Sequence, residues 1–337
     1  MKIGEKNTSD AVFVIAEIGN NHEGNLDLAQ ELISMAADAG ADAVKFQTYN
    51  TKDFISQTDP KRFDRMKKFE LSEEEFTQLS LQARELELVF ISTPFDLPNV
   101  AFLDSIVDAI KIASGDNTFP QLITRAARTS KPLIMSTGIA SFEEIAQAVG
   151  EIKTVRENTG SNLDLSLMHC VSSYPTLPKD ANLAAISQLL HRFPDCVVGY
   201  SDHTIGIDVA VAAVAAGARL IEKHFTIDNN YSDFRDHQLS ADPKAMRQMV
   251  EKIRDISSWM GTGAITLAEC ERDGASGFRR SAYAARDLSI KDTIAEQDII
   301  WLRPGGGIPP KNADRAIGSR PREPIKAGQI INPDNLD

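Results

Sequence analysis

Eight short apolar runs, each followed by a stretch of helical periodicity, constrain this chain more than any other feature. The runs are Val12–Ile18, Ala43–Thr48, Val89–Thr93, Ala109–Ile112, Pro132–Ser136, Asp164–His169, Val197–Ser201 and Leu220–Phe225. Amphipathic stretches lie near Leu26–Ala39, Ser72–Leu86, Ala101–Ser105, Pro120–Arg128, Phe142–Glu157, Leu183–Phe193 and Ile207–Ala216, with a last one near Pro243–Ser258. Strands that alternate with helices build right-handed parallel βαβ units. Eight such units predict a closed (β/α)8 barrel of the TIM type. An open doubly wound sheet is the competing arrangement, but the loop Gly19–Gly24 lacks the glycine spacing of a dinucleotide-binding turn.

The barrel pattern fills residues 1–258. Residues 259–277 contain glycines and little periodicity and read as a linker, and residues 278–337 form a small β-rich domain dense in proline and glycine. That domain holds a weak half-repeat, Ile290-Lys291 leading to Ile299 and Ile325-Lys326 leading to Leu336, each expected to end in a short helical turn. A module of this size is marginal for folding alone, so it is expected to dock on something.

The net charge of −12 argues against a nucleic-acid partner. It leaves room for a small anion bound by a few focused lysines. No apolar run approaches the roughly 18 residues that span a bilayer, and the N-terminus lacks the pattern of a secretory signal. Three cysteines without a C-x-x-C spacing give no disulfide framework. These features predict a cytoplasmic protein that binds no membrane.

In a barrel of this kind the carboxyl ends of the strands converge on one face. Here nearly every end carries reactive groups: Glu17, Lys45 with Gln47, Thr93, Lys111 with Ser114 and Asp116, Ser136, His169 with Ser172 and Tyr174, Ser201-Asp202-His203, and Lys223-His224. Each buried polar group costs about 1–3 kcal/mol unless it is paired, so stability alone does not explain eight such ends. His203 and His224 are one strand–helix–strand step apart, about 5 Å across adjacent strands. They could share a divalent ion, or simply hydrogen-bond at the barrel mouth. Lys45, Lys111, Thr93, Ser114 and Ser136 suit a phosphate and a carboxylate held together. Glu17 is a candidate acid or base, or an ion-pair partner of Lys45.

Several segments resemble the N-acetylneuraminate (sialic acid) synthase family. They are Ala16–Gly24, Val44–Thr48, Ser92–Phe95, Lys111–Gly115, Ser136–Gly138, His169–Pro175, Gly199–Thr204 and Glu222–Phe225. The tail, with Arg303-Pro304-Gly305-Gly306-Gly307, is similar to that family's antifreeze-like SAF module. The resemblance implies condensation of phosphoenolpyruvate with an N-acetylated amino sugar. It implies His203 and His224 as ligands of a divalent metal, Mn2+ foremost, with Mg2+ or Co2+ as substitutes. Lys45, Thr93, Lys111, Ser114, Ser136, Ser172, Tyr174 and Ser201 would surround phosphoenolpyruvate. Gln47, Asp116, Tyr174 and Asp236 would meet the sugar, with Glu17 near the reacting carbons.

The resemblance further implies a domain-swapped homodimer in which Arg303 enters the partner's site. Three positions depart from many relatives. Phe234-Arg235 stands in place of Gly-Pro, Asp116 in place of Glu, and Ser172 in place of Asn, all towards the sugar. The acceptor is therefore expected to be N-acetylmannosamine, its 6-phosphate, or a diacetamido hexose leading to legionaminic or pseudaminic acid. A non-catalytic carbohydrate-binding protein is the rival from another class; the intact set of histidines and lysines argues against it.

Overall fold

The computed structural model describes residues 1–162 and 164–337. The chain divides into two compact units, Met1–Gly261 and Thr262–Asp337.

In the first unit eight parallel strands close into the expected barrel: β3 (Phe13–Gly19), β4 (Ala43–Thr48), β5 (Val89–Pro94), β6 (Ala109–Ile112), β7 (Leu133–Ser136), β8 (Leu165–Cys170), β9 (Val197–Asp202) and β10 (Leu220–His224). The last strand pairs back onto the first, with Leu220 opposite Phe13 and His224 opposite Glu17. Bounds differ from the expected runs by a residue, as fraying ends do.

Around the barrel lie α1 (Leu26–Asp38), α4 (Glu73–Glu85), α5 (Leu97–Ile106), α6 (Pro120–Arg128), α7 (Phe142–Thr159), α8 (Ala184–Arg192), α9 (Asp208–Ala215) and α11 (Pro243–Met260). Their starts are written locally. Asn25 accepts from the Leu28 N–H, and Ser72 and Ser141 each form a reciprocal capping box with the glutamate three residues on.

Strand side chains alternate with a period of two. The outward set, among them Val14, Val44, Phe90 and Val198, packs under the helices in the main core. The inward set begins with a dry lower layer of Phe13, Ile15, Ala43, Val89, Ile91, Ile134, Met168 and Leu220. Ile3 is buried in that layer. It comes from a short N-terminal hairpin, β1 (Lys2–Ile3) with β2 (Lys6–Asn7), which stops the amino-terminal end of the barrel. The sequence reading did not foresee this plug. Residues 49–71 were unassigned as well; they form α2 (Thr51–Phe54) and α3 (Pro60–Phe69), and α10 (Arg235–Leu239) follows β10. Gly24 lets α3 approach: its φ is +80°, and a Cβ there would lie 2.1 Å from the Lys68 carbonyl oxygen.

In the second unit β11 (Ser281–Ala284) pairs antiparallel with β12 (Ile299–Leu302) over a small core that includes Ile294, Ile308, Ile325 and Ile331. Both halves of the weak repeat end in a three-residue 3₁₀ turn, Glu296–Asp298 and Pro333–Asn335. Residues 259–277 hold the end of α11, a turn at Glu269–Glu271 and the start of α12 (Ala275–Phe278). Among the described residues, no helix is long and apolar enough to cross a membrane.

Candidate active site

Above the dry layer the inward residues turn polar and open into a cleft of about 780 Å³ at the carboxyl ends of the strands. Glu17, Lys45, Gln47, Thr93, Lys111, Ser114, Asp116, Ser136, Ser172, Tyr174, Ser201, His203, His224 and Asp236 all line it. Arg303 belongs to the second unit, where it is exposed.

Four charges make the floor. Lys45 Nζ lies 2.8 Å from Glu17 Oε2, 3.3 Å from Thr93 Oγ1 and 3.8 Å from Glu222 Oε2. Lys111 Nζ donates to both oxygens of Glu222 at 3.2 Å, and Ser201 Oγ donates to Oε1 at 2.9 Å. All four charged side chains are at most 5% exposed. Glu222 received no role in the sequence reading. It shares the parity of His224 on β10, so the alternation of the strand already turned it inward.

The same alternation corrects three other strand-end residues. His169, Asp202 and Lys223 point out behind the barrel wall. His169 Nε2 bonds the Ala181 carbonyl, and Asp202 pairs with Lys223.

The two floor carboxyls part company. Burial raises the Glu17 pKa above the ordinary range, and the charge of Glu222 adds to this against the pull of Lys45. Burial opposes ionisation of Glu222 too, yet Lys111, Lys45 and the Ser201 hydroxyl together hold it down at about 2. Burial also lowers the Lys111 pKa, with Lys45 adding to the effect, whereas Glu17 and Glu222 keep Lys45 above its usual value. Glu222 is thus favoured as the anion between two ammonium groups, and Glu17 is the more readily protonated of the two. Gln47 Nε2 donates to Glu17 Oε1 at 3.3 Å, while Gln47 Oε1 accepts from Asn20 Nδ2 at 2.8 Å, which orients the amide.

His203 and His224 face each other with ring centroids 5.5 Å apart. His203 Nδ1 bonds the Val171 carbonyl at 2.7 Å, so it carries the proton and leaves the Nε2 lone pair free. His224 Nδ1 is buried without a partner. Burial holds both rings below the ordinary histidine range, His224 more so because His203 is beside it. Neutral imidazoles with free lone pairs fit a divalent cation. Among the described residues, no group of three or more His, Cys, Asp or Glu forms a cluster suited to a metal. Ser172 Oγ, likewise buried without a partner, faces the cleft. Gly138 makes room there, since a Cβ would lie 2.6 Å from that oxygen.

The outer wall comes largely from short helices and loops inserted after the strands. Arg62 and Arg65 on α3 reach it, over the rings of Phe54 and Phe234 at 5.9 and 5.8 Å. Arg235 stacks on Tyr174 at 4.7 Å and bonds Asp236 at 3.3 Å. Burial alone pushes Asp116 up to about 6. Ile139, on the rim, is 79% exposed with a φ of +60°. The sequence reading missed Arg62 and Arg65 because they lie in the unassigned insertion.

Residues 32–265 match the NeuB family and residues 279–337 the SAF domain. The chain is 38% identical to the N,N'-diacetyllegionaminic acid synthase of Legionella pneumophila over 98% of its own length and 96% of the relative's. It is 35% identical to a pseudaminic acid synthase of Campylobacter jejuni, with 98% of each chain covered. The crystal structure of an N-acetylneuraminic acid (sialic acid) synthetase from Leptospira borgpetersenii in complex with citrate superposes with a TM-score of 0.76 at 36% identity. That match covers 82% of this chain and 94% of the other.

Proposed function

The chain belongs to the NeuB family, and from that premise we propose that it condenses phosphoenolpyruvate with an N-acetylated amino sugar to give a sialic-acid-type nonulosonate and phosphate. One observation carries the reading. Two lysines bracket a buried carboxylate at the barrel floor while two neutral imidazoles stand beside them on adjacent strands.

Lys45 and Lys111, with Thr93, Ser114, Ser136, Ser172 and Ser201, hold the phosphate and carboxylate of the donor. Gln47, Asp116, Tyr174 and Asp236 orient the acceptor, so that donor C3 meets the open-chain aldehyde carbon at attack distance. That bond forms, the oxygen of water adds at C2, and the C–O bond to phosphate breaks. Glu17 serves as the acid or base that takes up or returns the proton. His203 and His224 would hold a divalent metal, Mn2+ foremost, which would supply Lewis-acid polarisation of the aldehyde.

The acceptor is N-acetylmannosamine, its 6-phosphate or a diacetamido hexose; the legionaminic and pseudaminic acid synthases among the relatives support the last. The reading includes a swapped homodimer in which Arg303 reaches the partner's cleft, in the cytoplasm. Phosphate release from phosphoenolpyruvate with Mn2+ and a panel of hexosamines tests it. Release with one acceptor is expected, and its loss in His203→Ala with the fold intact. Release with none would favour a carbohydrate-binding protein instead.

A further inference from the structure

Behind the two histidines lies a pair of charges that the chemistry above does not use. On β9 and β10 the inward residues Ser201 and Glu222 bond to each other across the strands. The next residues in register, Asp202 and Lys223, face the other way, behind the barrel wall. Lys223 Nζ lies 2.7 Å from Asp202 Oδ2, and both side chains are 0% exposed. The same ammonium donates to the Thr204 carbonyl. Asp202 Oδ1 accepts from the Thr204 N–H at 3.0 Å and from Tyr200 OH at 3.2 Å, and Oδ2 accepts from Thr204 Oγ1 at 3.2 Å. The residue before His224 thus grips the residues on both sides of His203.

Stability is a poor reason for such a pair. Removing two charges from water costs several kcal/mol each, and apolar side chains of similar volume often serve as well or better. What an apolar pair lacks is direction. Four donors converge on Asp202, and Lys223 ties β10 to the tip of β9, so the two strand ends cannot slide or splay independently. His203 is held from its other flank as well, through its ring to the Val171 carbonyl and through its own carbonyl to the Thr176 N–H at 2.9 Å.

We propose that Asp202 and Lys223 are positioning residues which hold the imidazoles of His203 and His224 at the separation needed to share one divalent cation. The inference rests on the metal reading above and deepens it, because the pair lies outside the lining of the cleft.

The test is calorimetric titration of the full chain with Mn2+ alone, without substrates. In Asp202→Asn/Lys223→Met the amide still accepts from Thr204 and the thioether fills the volume, but the link between strands is gone. Mn2+ affinity is expected to fall about 10- to 100-fold. The thermal midpoint and the metal-free affinity for phosphoenolpyruvate should stay close to wild type. Should that variant fail to fold, Lys223→Gln, which shortens and neutralises the tether, is expected to weaken Mn2+ in the same direction. Wild-type Mn2+ affinity in either folded variant overturns the inference. His203→Ala and His224→Ala separate it from its premise. If these two lose Mn2+ while the paired variant keeps it, only the positioning role falls. If they bind Mn2+ like wild type, the metal reading falls and takes the inference with it.

Discussion

The floor of the cleft and its outer wall are built on different plans. On the floor, Glu17, Lys45, Lys111 and Glu222 come from four strands, are almost fully buried and are paired with one another. On the wall, Arg62, Arg65, Asp116, Arg235 and Asp236 come from helical insertions and strand-end loops. Their partners are aromatic faces, a sequence neighbour or, for Asp116, burial alone. A floor so constrained tolerates little change, whereas a wall made of inserted short helices and loops can be rebuilt for a new ligand without disturbing the barrel. That matches a donor common to the proposed reaction and an acceptor that varies.

Four variants can break or sharpen this contrast. Lys111→Met should have the largest effect, because it strands Glu222 and removes a donor to the anion. Truncating one partner of a buried charge pair costs about 2–5 kcal/mol, so phosphoenolpyruvate should bind about 100-fold more weakly or worse by calorimetry. Near-normal binding would place the donor elsewhere. Arg235→Ala comes next. It removes the stack on Tyr174, worth about 0.5–1 kcal/mol at an exposed site, and the bond to Asp236, worth about 0.2–1 kcal/mol for an arginine so exposed. The acceptor KM should rise roughly tenfold with the donor KM little changed, and equal rises in both would erase the division between floor and wall.

Asp116→Asn is smaller and depends on pH. The folded carboxyl titrates near 6 against 3.8 for the free group, so the wild type is favoured at low pH and loses that stability as pH rises towards and through 6. The variant should therefore gain in thermal midpoint relative to wild type between pH 4 and 7. The gain corresponds to about 1 kcal/mol once solvent screening of a partly exposed group is allowed for. A constant difference across that range would show that the carboxyl is not held protonated. Ile139→Gly should be the mildest, since it relieves a left-handed β-branched residue at the rim. Strain of about 1–2 kcal/mol, less the entropy cost of glycine, leaves a net gain below about 1 kcal/mol in denaturant unfolding. A loss of stability would mean that the side chain packs where it is now exposed.

The contrast also explains what could be read in the sequence. Strand ends follow from alternation, so Lys45, Lys111, His203 and His224 were legible as one constellation, and Glu222 was legible in principle. Asp202, Lys223 and His169 were read as cleft residues because proximity to a strand end is a coarser signal than parity along it. The wall resisted reading. Arg62 and Arg65 sit on a short helix whose apolar residues, Met66 and Phe69 among them, are too few to show a period. Nothing local says that Gly24 brings this helix over the barrel. The N-terminal hairpin escaped for a similar reason, since two-residue strands leave no pattern.

That hairpin also bears on access. With Ile3 seated in the apolar layer beneath the lysines, the amino-terminal end of the barrel is filled, so a ligand reaches Lys45 and Lys111 from the mouth at the carboxyl ends of the strands.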